Sequence, residues 1–322
     1  MRTFRKAAIA GVAVLALALS ACAGQASKDK EKQDEAKKKV GEYSMTQASA
    51  SDINSSPLIK KIKKRGKIIV GVKVDQPLIG NKQGDTYSGF DIEQARLLST
   101  RIFGDKKNPD KHLEFVEATS QNRDSYLSSG KVDMIIASYS IYPSRLKTTG
   151  FAGPYFYAGQ NVLINADQAS KIKTVKDLAG KKVCIAAGSG SNDGMKKKNP
   201  KAVIKNLQDY GACAKAVADG TYPAMSTDDS ILAGYASVYK DKVKLLGNDQ
   251  VFTDEPYGIA VKKSDKKAVD FINGMIKESY KNGDWDKAFK LTFATGGMKM
   301  PTGKFYHPEI GKFNLRGTNV NK

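Results

Sequence analysis

Histidine is almost missing from this chain, with two residues in 322, His112 and His307. That scarcity excludes His-rich metal centres and H-E-x-x-H zinc chemistry, and a Ser-His-Asp triad would have to use one of two isolated imidazoles. Both are expected to be structural or solvated. Cysteine is scarce too: there are three, and Cys184 and Cys213 lack the C-x-x-C spacing of metal clips. No G-x-x-x-x-G-K-[ST] loop is present to cradle nucleotide phosphates. Gly188-Ser189-Gly190-Ser191 comes nearest to a dinucleotide fingerprint, but the next glycine, Gly194, falls one residue late and no acidic ribose partner follows. Long apolar runs are missing as well, since no stretch beyond Leu19 approaches the roughly 20 apolar residues that span a bilayer. No metal or cofactor is called for.

What is present begins at the N-terminus. Arg2, Arg5 and Lys6 precede the mostly apolar run Ala7 to Leu19, the layout of a secretory signal peptide. The run ends in Leu19-Ser20-Ala21-Cys22, which is similar to the lipobox of bacterial lipoproteins. The resemblance implies that residues 1–21 are removed and that a diacylglyceryl group on Cys22 holds the chain at the outer face of the cell membrane. Two acyl chains are what stable anchoring requires. The competing reading is an ordinary signal peptide with Cys22 incidental. Residues 22–56 are small, polar or charged, with hardly a large apolar side chain, and are expected to form a flexible tether.

The chain carries 53 Lys+Arg against 33 Asp+Glu. The first 56 residues hold nine and six of these, leaving an excess of about 17 positive charges on the body. Such a field concentrates anions of any kind, from small ligands to envelope polymers. Much of it lies in short runs, such as Lys60-Lys61 with Lys63-Lys64-Arg65 and Lys196-Lys197-Lys198, which also read as a solvated face. Export disfavours nucleic acid as a partner. With Cys22 set aside, Cys184 and Cys213 form an even count in an oxidising compartment, so a disulfide is expected, with two separate buried thiols as the alternative. Closing that loop would add roughly 3–4 kcal/mol.

Strand and helix patterns alternate along the body. Lys67 to Val72, Leu113 to Val116 and Val132 to Ala137 read as strands, with helices over Gly89 to Phe103 and Asn122 to Ser129. The alternation restarts after Tyr155 with Asn161 to Ile164, a helix-start signal at Thr174, the strand Lys182 to Ala187 and a helix from Ser191. Asp209 to Ala218 suits a helix, Ala224 to Ser226 a short strand and Asp229 to Ala236 a helix. Tyr257 to Val261 reads as a strand. Asp265 to Tyr280 carries Ala268, Phe271, Ile272, Met275, Ile276 and Ser279 on one face, and another amphipathic helix follows around Trp285. The pattern predicts two α/β units built on parallel sheets with helices on both faces.

These segments carry motifs in a recognisable order: Val70-Gly71-Val72-Lys73-Val74-Asp75, Gly89-Phe90-Asp91, Thr119-Ser120-Gln121-Asn122-Arg123, Gly130 to Ile135, Arg145, Gly153-Pro154-Tyr155, Gly188-Ser189, Thr227-Asp228-Asp229 with Leu232-Ala233-Gly234, and Tyr257-Gly258-Ile259. Over residues 57–295 the chain resembles family 3 of the periplasmic-type amino-acid-binding proteins, and most of all the glutamate- and aspartate-binding members of ABC importers, which also carry a cysteine pair. The resemblance implies the two-lobed type II periplasmic-binding-protein fold. The first lobe would comprise 57–155 plus 257–322, the second 160–252, with hinges near 155–160 and 252–257.

Site roles follow from the same resemblance. Arg145 matches the arginine that clamps the ligand α-carboxylate, where a guanidinium fork suits a bidentate partner. Ala137, Ser138 and Ser140 match contacts to the amino-acid head, and Ser189 and Gly190 would reach the α-carboxylate from the second lobe. The Gly188 segment also reads as a plain strand-to-helix turn. Asp228, next to Thr227, matches the acceptor of the α-ammonium, with Asp75 as a second carboxylate; Asp229 competes as a helix cap. Lys73 and Arg123 match positions where binders of acidic amino acids place cations, which implies glutamate or aspartate as ligand. The aromatic that many members place after the first strand is missing from Gln76-Pro77-Leu78-Ile79-Gly80, leaving Tyr87 or Tyr139 as substitutes.

The chain is thus expected to be a monomeric, lipid-anchored capture protein that delivers an acidic amino acid to an ABC permease. The alternatives are a polar ligand such as glutamine or asparagine, an enzyme like the cyclohexadienyl dehydratase built on this fold, and a cell-wall adhesin using the basic surface.

Overall fold

The computed structural model describes residues 42–313. Cys22, the signal segment and most of the expected tether lie outside these residues. Helices α1 (Ala50–Ser55) and α2 (Pro57–Arg65) lead into strand β1 (Ile68–Val72), the small antiparallel strands β2 (Asp75–Gln76), β3 (Gly80–Gln83) and β4 (Thr86–Ser88), and helix α3 (Phe90–Phe103). Then come β5 (Leu113–Glu117), α4 (Arg123–Ser129), β6 (Met134–Ile136), α5 (Pro143–Leu146) and the long β7 (Thr149–Ala158). The second lobe holds β8 (Gln160–Asn165), β9 (Lys182–Ala186), α6 (Ser191–Lys198), β10 (Val203–Leu207), α7 (Tyr210–Ala218), β11 (Ala224–Asp228), α8 (Asp229–Tyr239) and β12 (Val243–Leu245). The chain returns to the first lobe in β13 (Glu255–Lys262), α9 (Lys266–Lys281) and α10 (Asp284–Leu291).

Each lobe is built on one five-stranded sheet, ordered β5-β1-β6-β13-β7 in the first and β10-β9-β11-β8-β12 in the second. The parallel sheets read from the sequence are therefore only partly right. Three neighbouring strands in each sheet pair in parallel, whereas β13 is antiparallel to β6 and β7, and β8 is antiparallel to β11 and β12. The antiparallel strands adjoin the crossings between lobes: β7 leads straight into β8 past Gly159, and the segment after β12 leads into β13. β8 and β13 each enter their sheet from the other lobe and not through a crossover helix of their own, so they are free of the constraint that makes the other neighbours parallel. Cys184 on β9 and Cys213 on α7 form the expected disulfide, with 5.5 Å between their Cα atoms.

Amphipathicity places the helices as the sequence suggests. The six residues picked out on α9 are the ones it buries, and α10 buries Trp285, Ala288 and Phe289. Trp285 donates to the Tyr155 carbonyl at 2.7 Å and meets Phe90 edge-on at 5.6 Å. Both histidines pack as structural rings, His112 stacked on Phe103 and His307 on Tyr280.

The tether expected to reach residue 56 is corrected over 42–56, which pack against the first lobe. Met45 is fully buried, Tyr43 donates to Glu93 at 2.7 Å, and the N–H groups of Ser44 and Met45 donate to the Asp284 carboxylate at 2.6 and 2.7 Å. Ser49 caps α1 through the Asp52 N–H. A composition average over the whole stretch hides this: Tyr43, Met45 and Ile53 suffice as anchors because a buried carboxylate on α10 receives the backbone between them.

Candidate functional site

The first lobe brings cations together at its strand ends. Lys73 directly follows β1, and its Nζ is buried, donating to Ser120 Oγ at 2.9 Å and lying 5.7 Å from the Tyr210 ring centre. Burial, with the Arg123 guanidinium nearby, pushes its ammonium down to about 7. Arg123 opens α4, stacks 3.8 Å over the Tyr139 ring and donates to the Ala137 carbonyl at 3.2 Å. Its Nε is buried with no hydrogen-bond partner among the described residues, and burial together with Arg145 holds the guanidinium below its ordinary pKa. Arg145, on α5, donates to the Ser140 carbonyl at 2.8 Å and lies 4.7 Å from the Tyr139 ring and 4.5 Å from that of Tyr142. Among the described residues, none of the three cations forms an ion pair.

The turn after β6 is held by Asp91, in the first turn of α3. Its carboxylate accepts from the Ser138 N–H and from the Tyr155 hydroxyl, both at 2.6 Å, and burial raises it to about 6. Ser138 adopts φ 42 and donates from Oγ to Gln76 Oε1 at 3.0 Å, while the Gln76 Nε2 has no partner among the described residues. Gln76, which stands in the segment that lacks an aromatic, thus presents a buried amide donor.

The second lobe supplies carboxylate and hydroxyl. Asp228 ends β11 and accepts from the Tyr257 hydroxyl at 2.6 Å; burial, with Glu255 close by, raises it well above the usual carboxylate range. Thr227 accepts from Ser191 Oγ at 3.4 Å, and Ser189 Oγ accepts from the Tyr210 hydroxyl at 2.7 Å. The lobes touch here. A Cβ on Gly190 would come within 2.4 Å of the Tyr142 ring, and one on Gly188, at φ 72, within 2.7 Å of Gln121 Cα. Only glycine admits the first lobe so closely. Beside this contact a groove of about 710 Å³ opens, lined by Tyr142, Arg145, Ser189, Gly190 and Glu255 among others.

Asp75 lies near Lys73 and is engaged with the second lobe. Its Oδ2 accepts from the backbone N–H groups of Tyr210 and Gly211, each at 3.0 Å. Asp229 turns to the crossing, accepting from the Gly159 N–H at 3.1 Å and from its neighbour Ser230 at 2.7 Å. Tyr139 does lie in the site, but as the platform under Arg123 and Arg145, while Tyr87 packs on Phe115, 4.6 Å between ring centres. Sequence reasoning missed Glu255, which is buried, accepts from Thr253 Oγ1 at 2.8 Å and from the Tyr142 hydroxyl, and is raised by burial. The one signal for it was an acidic residue opening an apolar strand, Glu255-Pro256-Tyr257. It also missed Tyr142, Tyr210 and Tyr257.

Cations without an ion pair in the first lobe thus meet Asp228 of the second lobe and Glu255 at the start of β13, two carboxylates that burial raises. A zwitterion placed between them would offer an anion to the first set and a cation to the second, which is the compensation that buried charges require.

The comparisons agree with this geometry. The description "Bacterial extracellular solute-binding proteins, family 3" matches residues 68–294. The chain is 36% identical over 244 residues to the ABC transporter glutamine-binding protein GlnH of Bacillus subtilis, covering 75% of this chain and 86% of that one. It is 33% identical over 227 residues to the glutamate-binding protein GluB of Corynebacterium glutamicum, covering 69% and 77%. Among solved structures, an ancestral amino-acid-binding protein, a precursor of cyclohexadienyl dehydratase, superposes with TM-score 0.65 at 32% identity, covering 74% of this chain and all of that one. With two sheet-based α/β lobes facing each other across such a site, the chain belongs to family 3 of the bacterial extracellular solute-binding proteins.

Proposed function

We propose that this protein captures glutamate between its lobes and hands it to the permease of an ABC importer, while a lipid on Cys22 holds it at the outer face of the cell membrane. As a family member it is a transport receptor and not an enzyme. The observation that carries the ligand reading is the convergence of Lys73, Arg123 and Arg145 without an ion pair. Arg145, with Ser140, Ser189 and Gly190, takes the α-carboxylate, and Asp228 with Glu255 takes the α-ammonium. Lys73, Arg123 Nε and Gln76 Nε2 are donors left for a side-chain carboxylate. The lobes swing about the two crossings near Gly159 and Phe252.

Calorimetric titration of the leaderless protein with glutamate, aspartate, glutamine, asparagine and arginine tests this. Glutamate should bind most tightly; heat from arginine alone would overturn the reading. Glutamine is the second reading, favoured by the relative from Bacillus subtilis and by the ease with which buried Lys73 becomes a neutral amine. Replacing Cys22 by Ser should release the protein from cells into the medium, and retention on washed cells would argue against the anchor.

A further inference from the structure

The first lobe pushes a short piece of backbone into the second. Between β2 and β3 the turn Pro77-Leu78 approaches α8 so closely that a Cβ on Gly234 would lie 2.3 Å from the Pro77 carbonyl oxygen. Leu78 holds φ 71, a conformation that side-chain-bearing residues rarely adopt. Just before this turn, the Asp75 carboxylate receives the N–H groups of Tyr210 and Gly211, and its own carbonyl accepts from the Tyr235 hydroxyl at 2.8 Å.

Those two N–H groups are the first of α7, and the opening turn of a helix leaves such donors without internal partners. The third, from Ala212, is taken by Asp209 at 2.7 Å. The second lobe therefore caps one donor with its own residue, and the first lobe supplies an anion for the other two, at the positive end of the helix dipole. The disulfide ties α7 to β9, so a force on its first turn is transmitted to the whole lobe. Tyr210, the first residue so held, is also the one whose hydroxyl reaches Ser189 in the site.

We infer that Asp75 is a positioning residue that fastens the lobes in their closed arrangement and sets how fast any bound amino acid leaves, whatever that amino acid's side chain. A carboxylate that met the ligand's ammonium would act only when ligand is present. This one is engaged from lobe to lobe and works on the empty protein too.

Asp75→Asn and Asp75→Ala separate the two roles. Small-angle scattering of the ligand-free variants should give a larger radius of gyration than the parent protein. Stopped-flow dissociation of glutamate and of glutamine should speed up by the same factor, about tenfold for the alanine variant and less for the asparagine variant. Unequal factors for the two amino acids would assign Asp75 to the ligand and overturn the inference, as would unchanged scattering and rates. Should Asp75→Ala lose its cooperative melt, the isosteric asparagine variant carries the test. If the parent protein binds neither amino acid, the ligand reading fails while the scattering comparison still decides this one.

Discussion

The two lobes face each other with opposite electrostatic problems. The first presents Lys73, Arg123 and Arg145, none of them in an ion pair among the described residues, so burial and the neighbouring guanidinium press the lysine toward its neutral form. On the other side stands Asp228 of the second lobe, and beside it Glu255, the first residue of β13 where the chain returns to the first lobe; burial pushes both carboxylates toward protonation. Neither half can relieve itself. An amino acid inserted between them relieves both, so ligand favours closure beyond what the contacts between lobes supply on their own.

The strongest way to break that picture is Arg145→Ala. It should abolish binding of every amino acid, a loss of about 100-fold or more, because a carboxylate would be left against uncompensated surroundings. Calorimetry that still registers tight binding would remove Arg145 from the site. Arg123→Met should cost less and act selectively, lowering the preference for glutamate over glutamine by about tenfold while leaving glutamine affinity nearly intact. Equal losses for both ligands would show the first lobe's cations to be one undivided unit.

A smaller effect should appear in the pH dependence. Burial, reinforced by Arg123 and opposed by Asp75, Asp209 and Asp91, lowers the Lys73 pKa from its ordinary range to about 7, so above pH 7 the empty site holds mostly neutral amine. A bound side-chain carboxylate favours the charged form and raises that pKa. Glutamate binding should therefore take up a proton above pH 7, and its affinity should fall as pH rises, while glutamine affinity stays flat; titrations in buffers of different ionisation enthalpy read this directly. The ligand-free fold obeys the same linkage: unfolded chains bind that proton up to the ordinary lysine range, so stability rises with pH above 7. Smallest for the ligand should be Met45→Ala, which removes a fully buried side chain and lowers the melting temperature through a loss of about 2–5 kcal/mol without changing affinity. A change in affinity would mean that the docked N-terminal segment is coupled to the cleft.

The lobes also differ in how readily the sequence discloses them. Helices α3 and α9, and the strands that end at Lys73 and Ala137, are legible because apolar periodicity and strand runs are local signals. The first lobe's half of the site follows, since its residues sit at strand ends. What stays hidden depends on contacts distant along the chain. β7 runs ten residues through Thr149–Ala158, but glycine and proline interrupt its apolar pattern. Glu255 lies 113 positions from the Tyr142 hydroxyl it accepts from, and Asp75 lies 135 from the helix it caps. Residues 42–56 look unable to fold by composition, and their order comes from Glu93 and Asp284. No single-residue pattern encodes such partnerships.

That docked segment also fixes a length. If the lipid on Cys22 is the anchor, only about 20 residues separate it from Glu42, where the packed body begins, and fully extended they reach about 70 Å. That length confines the receptor to a hemisphere of at most that radius, in which one molecule amounts to a concentration on the order of a millimolar. A permease within that radius meets the loaded receptor at millimolar strength however dilute the nutrient outside, so even a weak docking contact would keep it occupied.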